Sequence, residues 1–459
     1  METGLGNTET IAHYIFNFDL ARAPDEVIKR AKLCVMDTIG VMLGGLNTKA
    51  SSIVREVLAI RGGTKEASVF GSSVDAPTSE AAFANCFSAN ILDMDDGHDL
   101  GGHPGAPIVP SALALSESIG VSGKEFLEAV IVGYEISIRA LDILTAGFSG
   151  SQNSQILPST GEKYHCSGTG AAYGVAAVAC KLYKMPPNQI VQALGLTAAY
   201  APTTRPRQGY WLGAMEKESI GMAAKVAIES AQLAKHGMTG PHTIFDDKHS
   251  RPTSLDSLGK QYEILNTYFK PYPSCRYTHA AIDITSNLMK KHKLTSNNIL
   301  KVNVKSPLRH ISLNSQSPSS IVQAQFSIPF VVGAVISYGR HSIKTMTEES
   351  FSNKKILAQA AKVTIEHDPS LDKNNWSGKI LIETKDGRIL EQTKLFPKGD
   401  PKEPMSNEEL KNKFEELANI VIDANSTNTL YKLINKLENT HVQKIINILR
   451  LATSTKIAA

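Results

Sequence analysis

Four carboxylates and two imidazoles crowd into eleven residues, Asp93 to His103, within the stretch DMDDGHDLGGHPG. Like charges this close repel. A fold keeps Asp93, Asp95, Asp96 and Asp99 together only with compensation from a cation, a lysine or arginine, or solvent. A plain charge run would be an exposed loop. Here Ile91 and Leu92 precede the cluster and Ala106-Pro107-Ile108-Val109 follow it. The cluster is embedded between buried-looking segments, and that reads as a functional site.

The surrounding chain is long enough to build such a site. At 459 residues it exceeds one ordinary core, which suggests two or three domains. Aromatic residues make up only 6%, while Gly is frequent at 33 residues. Packing must then rest on small and aliphatic side chains, which favours close-packed helices. The pattern predicts helices over 24–43, 79–90, 107–119, 123–146, 170–182, 186–200 and 219–236. Near Tyr268 the texture changes. Val302 and Val304 alternate with polar neighbours, as do Val363 and Ile365, and 379–390 reads as a hairpin around Asp386-Gly387. Helices over 276–291 and 326–338 lie in the same region. Ser406 and Glu409 form a capping box that returns the chain to helix.

Net charge is +4, too small for a dedicated nucleic-acid binder. It conceals a split: residues 1–268 hold 21 basic and 27 acidic residues, a balance of −6, and residues 269–459 carry +10. The five cysteines are odd in number and widely spaced, which supports neither a disulfide framework nor a zinc ribbon. No secretory signal is visible at Met1-Glu2-Thr3-Gly4, and no uncharged apolar run reaches membrane-spanning length. The expectation is a soluble, cytoplasmic protein that binds neither nucleic acid nor membrane.

Three further segments could carry chemistry. Gly161–Gly170 places His165 just before a Gly/Ala helix, whose N-terminus would offer free N–H donors. Thr203–Gly221 supplies Arg205, Arg207 and Lys217, although Glu216 and Glu218 flank the lysine as in a solvated charge pattern. Lys270–Asp283, KPYPSCRYTHAAID, sits on the texture change, and junctions are preferred ligand sites. Arg276 and His279 are three apart there, so they are expected to share a helix face.

Together these segments resemble the MmgE/PrpD family, which includes 2-methylcitrate dehydratase, cis-aconitate decarboxylase and iminodisuccinate epimerase. The similarity runs through DTIG at Asp37–Gly40, LDMDDGH with HPG at Leu92–Gly105 and the His165 segment. It continues through YPSCRYTHAAID at Tyr272–Asp283, FSIPF at Phe326–Phe330 and GDPKEPMS at Gly399–Ser406. The resemblance implies a mainly α protein with an α+β part. A large all-α domain is built from both chain ends, residues 1–268 and 403–459, with a smaller α+β lid, 269–402, inserted between them. It also implies a homodimer with no metal or organic cofactor. The family's active-site residues map onto Asp93, His103, Lys217 and His279, with His165 nearby. His98 and Arg276 are added as substrate-binding candidates, Arg276 from its position. The decarboxylase branch carries a threonine where this chain has Gly97.

The expected activity follows from the resemblance: carbanion chemistry next to a carboxylate of a small di- or tricarboxylate. A 2-methylcitrate-like dehydratase leads. An iminodisuccinate-like epimerase and a cis-aconitate-like decarboxylase are the alternatives. Asp93 and His103 would handle the proton, while Lys217 and His279 would bind the carboxylate and the developing charge. A rival reading takes His98-Asp99 as the HD pair of a metal-dependent phosphohydrolase. A third is a helical scaffold whose site has decayed.

Overall fold

The computed structural model describes residues 5–100, 102–145, 154–156, 163–165, 167–202, 215–216, 219–246, 253–373 and 376–453. Helix α1, Asp25–Gly45, starts behind Pro24, and every residue from Cys34 to Gly45 is buried. Its second half therefore runs through the interior rather than along a surface. Around it stand α2 (Thr78–Asn90), α3 (Gly105–Ile119), α4 (Gly123–Thr145), α5 (Ser167–Leu182), α6 (Pro187–Tyr200) and α7 (Ile220–Lys235). These are the helices the periodicity predicts, with boundaries shifted by a few residues.

The Gly/Ala composition of α5 has the expected consequence. A Cβ on Gly174 would lie 2.9 Å from the Gly133 carbonyl of α4 and 2.7 Å from Ser137 Cβ. Only hydrogen at that position lets the two helix backbones come so close. One apolar core extends from Ile11 to Phe269 and closes with Leu410, Phe414, Leu430 and Ile446 from the C-terminal helices. Among these, α10 (Asn407–Ala418) opens with Ser406 accepting from the Glu409 N–H while the Glu409 carboxylate accepts from Ser406 N–H, the capping box read in the sequence.

A separate apolar core belongs to the stretch between. Strands β1 (Ile299–Ser306), β2 (Val363–His367), β3 (Gly378–Thr384) and β4 (Ile389–Lys394) form a sheet in the order β2-β1-β3-β4. Val302 lies opposite Val363 in the parallel pair and opposite Ile382 in the antiparallel one. The alternation buries Val302, Val304, Ile380 and Ile382 against helices α8 (His279–Lys291) and α9 (Ile328–Tyr338). Gly387 turns the β3–β4 hairpin with φ of +83°.

One expectation is corrected here. Residues 276–291 are not one helix: Arg276–Thr278 form a 3-10 turn and α8 begins at His279. The Thr278 hydroxyl donates to the Cys275 carbonyl and pairs with Ser274 Oγ at 2.8 Å, which tightens the turn. Arg276 therefore sits in the turn that leads into α8, and His279 opens the helix.

Candidate active site

The acidic stretch leaves α2 at its C-terminus and must reach the start of α3. Asp93 makes the first bend with φ of +52°. That left-handed conformation costs a non-glycine residue energy, and aspartate is among the few that adopt it. The loop is then pinned twice. Gly97 exchanges backbone hydrogen bonds with Tyr268, at 3.0 and 2.8 Å, and His98 does so with Gly102. The Gln325 amide donates to the Ile91 carbonyl at 2.7 Å from the other side.

Asp93, Asp95, Asp96 and His98 are all buried. Each carboxylate has a different answer to its charge. Lys270, itself buried, places Nζ 2.5 Å from Asp93 Oδ1 and 3.1 Å from the Asp93 carbonyl. Asp95 accepts from the Asn90 amide and lies 3.0 Å from His103 Nδ1. His103 presents its other nitrogen to Asp93, at 3.9 Å. Asp96 accepts from Tyr134 Oη at 2.6 Å and from the Gly105 N–H at 2.9 Å, capping the first turn of α3. Burial, with Asp37 and Asp95 nearby, still pushes its carboxyl up to about 7 despite the Tyr134 bond. Asp99 is the exposed member, and Arg276 holds it at 2.5 Å.

His279 is buried beside this group. Its Nε2–H donates to the Ser274 carbonyl at 3.0 Å, and its ring meets Tyr272 edge-on. Burial and the Lys270 cation hold its pKa well below the usual imidazole value. The ring is therefore neutral, with Nδ1 as its lone-pair nitrogen.

Arg276 is committed on several sides. It binds Asp99 and Asp400, and its guanidinium stacks 3.6 Å from the Tyr268 ring centre and 3.8 Å from Trp376. His98 accepts from the Leu100 N–H at Nδ1 and faces Glu263 at 3.3 Å, a charge contact rather than an aligned hydrogen bond. That contact draws the Glu263 carboxyl down to about 2. His98 and Asp99 thus point to different partners, and the HD-pair expectation is corrected: they do not converge as metal ligands do. Among the described residues, Asp93, Asp95 and His103 are the group whose ligand atoms lie within 4.8 Å of one another.

Asp93, His103 and His279 therefore come together in one place. Lys217 lies outside the described residues. His165 ends a short strand whose backbone pairs with Ser154. Lys270 and Tyr268 were missed, although a lysine inside Tyr-Phe-Lys-Pro-Tyr, with apolar neighbours on both sides, is itself a signal.

Residues 9–253 match the MmgE/PrpD N-terminal domain and residues 272–439 the MmgE/PrpD C-terminal domain. Cis-aconitate decarboxylase of Mus musculus is 25% identical over 463 residues, covering 94% of this chain and 91% of that protein. The Homo sapiens cis-aconitate decarboxylase is 24% identical over 455 residues, covering 94% and 92%. That of Aspergillus terreus (strain NIH 2624 / FGSC A1156) is 22% identical over 491 residues, covering 97% and 96%. No helix among the described residues is long and apolar enough to cross a membrane. With both of its domains matched over most of the chain, this protein belongs to the MmgE/PrpD family.

Proposed function

We propose that the protein makes or quenches a carbanion next to a carboxylate of a small di- or tricarboxylate, with loss of water from a 2-methylcitrate-like hydroxy acid as the leading reaction. The observation that carries this is the buried sequence of contacts Lys270–Asp93–His103–Asp95. A proton next to a carboxylate is very weakly acidic. A positioned acid or base contributes roughly 10²–10⁴-fold. A preorganised donor or cation facing the developing enediolate adds roughly 10²–10³-fold. The site has groups for both tasks.

In this scheme Asp93 and His103 exchange the proton. For water loss, one group takes the proton from carbon and the other delivers one to the departing hydroxyl, so a C–H and a C–O bond break as the double bond forms. Lys270 stabilises the negative charge, with Lys217 as a second cation. Neutral His279 offers an acceptor nitrogen. His165 and His98 line the substrate, and Arg276 steadies the loop through Asp99. Side chains supply every charge, so the scheme requires no cofactor. The same reading makes the protein a cytoplasmic homodimer; a monomer in analytical ultracentrifugation would remove that part.

The names of the mouse, human and Aspergillus relatives favour a second reading, decarboxylation of a cis-aconitate-like acid. Loss of CO₂ leaves the same kind of carbanion, which the same acid would then protonate. Methylcitrate, cis-aconitate and iminodisuccinate, each incubated with the enzyme in deuterated water and followed by NMR, separate the cases. Elimination supports the leading reaction, and CO₂ loss selects the second. Deuterium exchange without net loss points to epimerisation. No change in any acid with folded protein contradicts the proposal.

A further inference from the structure

The loop residue Gly97 is occupied territory. A Cβ there would lie 2.2 Å from the hydroxyl of Tyr268, 2.3 Å from its Cζ and 2.8 Å from Cε2. The phenol therefore fills the space that any other side chain at position 97 would take. It cannot swing aside cheaply, because Arg276 covers the ring and is itself held by Asp99, Asp400 and Trp376.

Tyr268 also belongs to the site by direction. Along an extended segment alternate side chains share a side. Phe269 enters the main apolar core, while Lys270, two residues after Tyr268, reaches Asp93. Tyr268 and Lys270 thus face the acidic loop together. Tyr268 is only 6% exposed, and its hydroxyl makes no hydrogen bond among the described residues but is not sealed from solvent. A phenol hydroxyl that is not spent on the protein is available to donate to a bound molecule. Burial raises the phenol pKa well above its ordinary value, so the group remains a donor at neutral pH.

We propose that Tyr268 is a specificity-determining residue whose hydroxyl, seated in the space that glycine at position 97 leaves to it, donates a hydrogen bond to a carboxylate of the substrate. The inference rests on the carboxylate reading of the site and adds to it a contact that neither the sequence motifs nor the family match assigns. It also defines shape. The phenol takes the space beside Gly97, so acids that present a carboxylate to Tyr268 are favoured over those that place a bulky group there.

Calorimetric titration with tricarballylate, a saturated tricarboxylate with no hydroxyl to lose, tests this on wild type and Tyr268→Phe. The phenylalanine retains the ring that stacks on Arg276. Binding about 10- to 100-fold weaker is expected, the contribution of one hydrogen bond to a charged acceptor. KM for whichever acid of the panel is converted should rise in parallel, with the circular dichroism spectrum unchanged. Gly97→Ala should weaken binding as well, and Gly97→Ala with Tyr268→Ala should regain the melting temperature lost by Gly97→Ala alone. Unchanged binding and KM in Tyr268→Phe, with turnover intact, would overturn this inference and leave the proposed function standing. A wild-type enzyme that neither binds tricarballylate nor converts any acid would overturn the reading of the site and this inference with it.

Discussion

Lys413 meets Asp37 at 2.6 Å and Lys270 meets Asp93 at 2.5 Å. Each ammonium also takes a main-chain carbonyl of the same acidic loop, Met94 in one case and Asp93 in the other. All four side chains are buried. The surroundings differ. Asp37 lies within a regular helix, and among the described residues no imidazole stands within ion-pair distance of it. Burial raises its pKa even against the Lys413 cation. Asp93 sits on a left-handed backbone, with His103 at 3.9 Å. Backbone strain of this kind costs roughly 1–3 kcal/mol and persists where the surroundings impose it, often at functional sites. Burial of an ion pair therefore does not mark a centre of chemistry. The strained backbone and the imidazole beside it set Asp93 apart, and the proposed chemistry is placed there for that reason.

The largest expected effect falls on the Asp93 side. Asp93→Asn should lower kcat by about 10²–10⁴-fold per folded molecule, the loss of a positioned acid or base, on top of the about 3–5 kcal/mol of stability that an unpaired Lys270 ammonium costs. Activity near wild type would erase the distinction between the pairs. On the other side, Lys413→Met leaves a buried carboxylate uncompensated and should cost about 3–5 kcal/mol in urea unfolding. Adding Asp37→Leu should recover much of that, because a buried pair replaced by apolar groups is often neutral. Failure to recover would mean that Asp37 has a task beyond its partner.

Asp96 sharpens the comparison through pH. Its folded pKa is raised to about 7, so between the ordinary carboxyl value of about 4 and about 7 the folded state binds the extra proton. Stability contributed there is present at low pH and lost as pH rises through that window. Asp96→Asn, a neutral group of the same shape, should flatten this slope and raise the melting temperature at pH 8 relative to wild type. An unchanged slope would assign the dependence to another group. The smallest effect is Ser406→Ala, which removes the cap of the helix carrying Lys413. It should cost about 1 kcal/mol and leave kcat untouched.

Much of this architecture is legible in the sequence because periodicity reports burial. The helix Asp25–Gly45, the helices from Thr78 to Lys235 and the alternating strands around Val302 and Val363 follow directly from it, whereas the helix Lys49–Arg61 was not read. The capping box at Ser406 depends on two residues three apart, and it is equally legible. The acidic loop can be recognised because four carboxylates with apolar flanks demand compensation. Which cations supply it is not legible, since Lys270 is 177 positions from Asp93 and Lys413 is 376 from Asp37. A hint existed: Leu410, Lys413, Phe414 and Leu417 follow helical spacing, which puts that lysine on the buried face. Arg276 misled for a local reason. Sequence spacing implied a helix, whereas the Ser274–Thr278 turn sends its guanidinium between Tyr268 and Trp376.

The account turns on two pairs of the same chemistry having different tasks. Turnover of Lys270→Met and Lys413→Met on the acid that wild type converts, at a temperature where both variants are folded, measures this most directly. Lys270→Met should lose about 100-fold or more in kcat, as for a removed stabilising group. Lys413→Met should remain within about threefold of wild type per folded molecule, because among the described residues Lys413 reaches only Asp37 and the Met94 carbonyl. Equal losses in the two variants, or a larger loss in Lys413→Met, would contradict it.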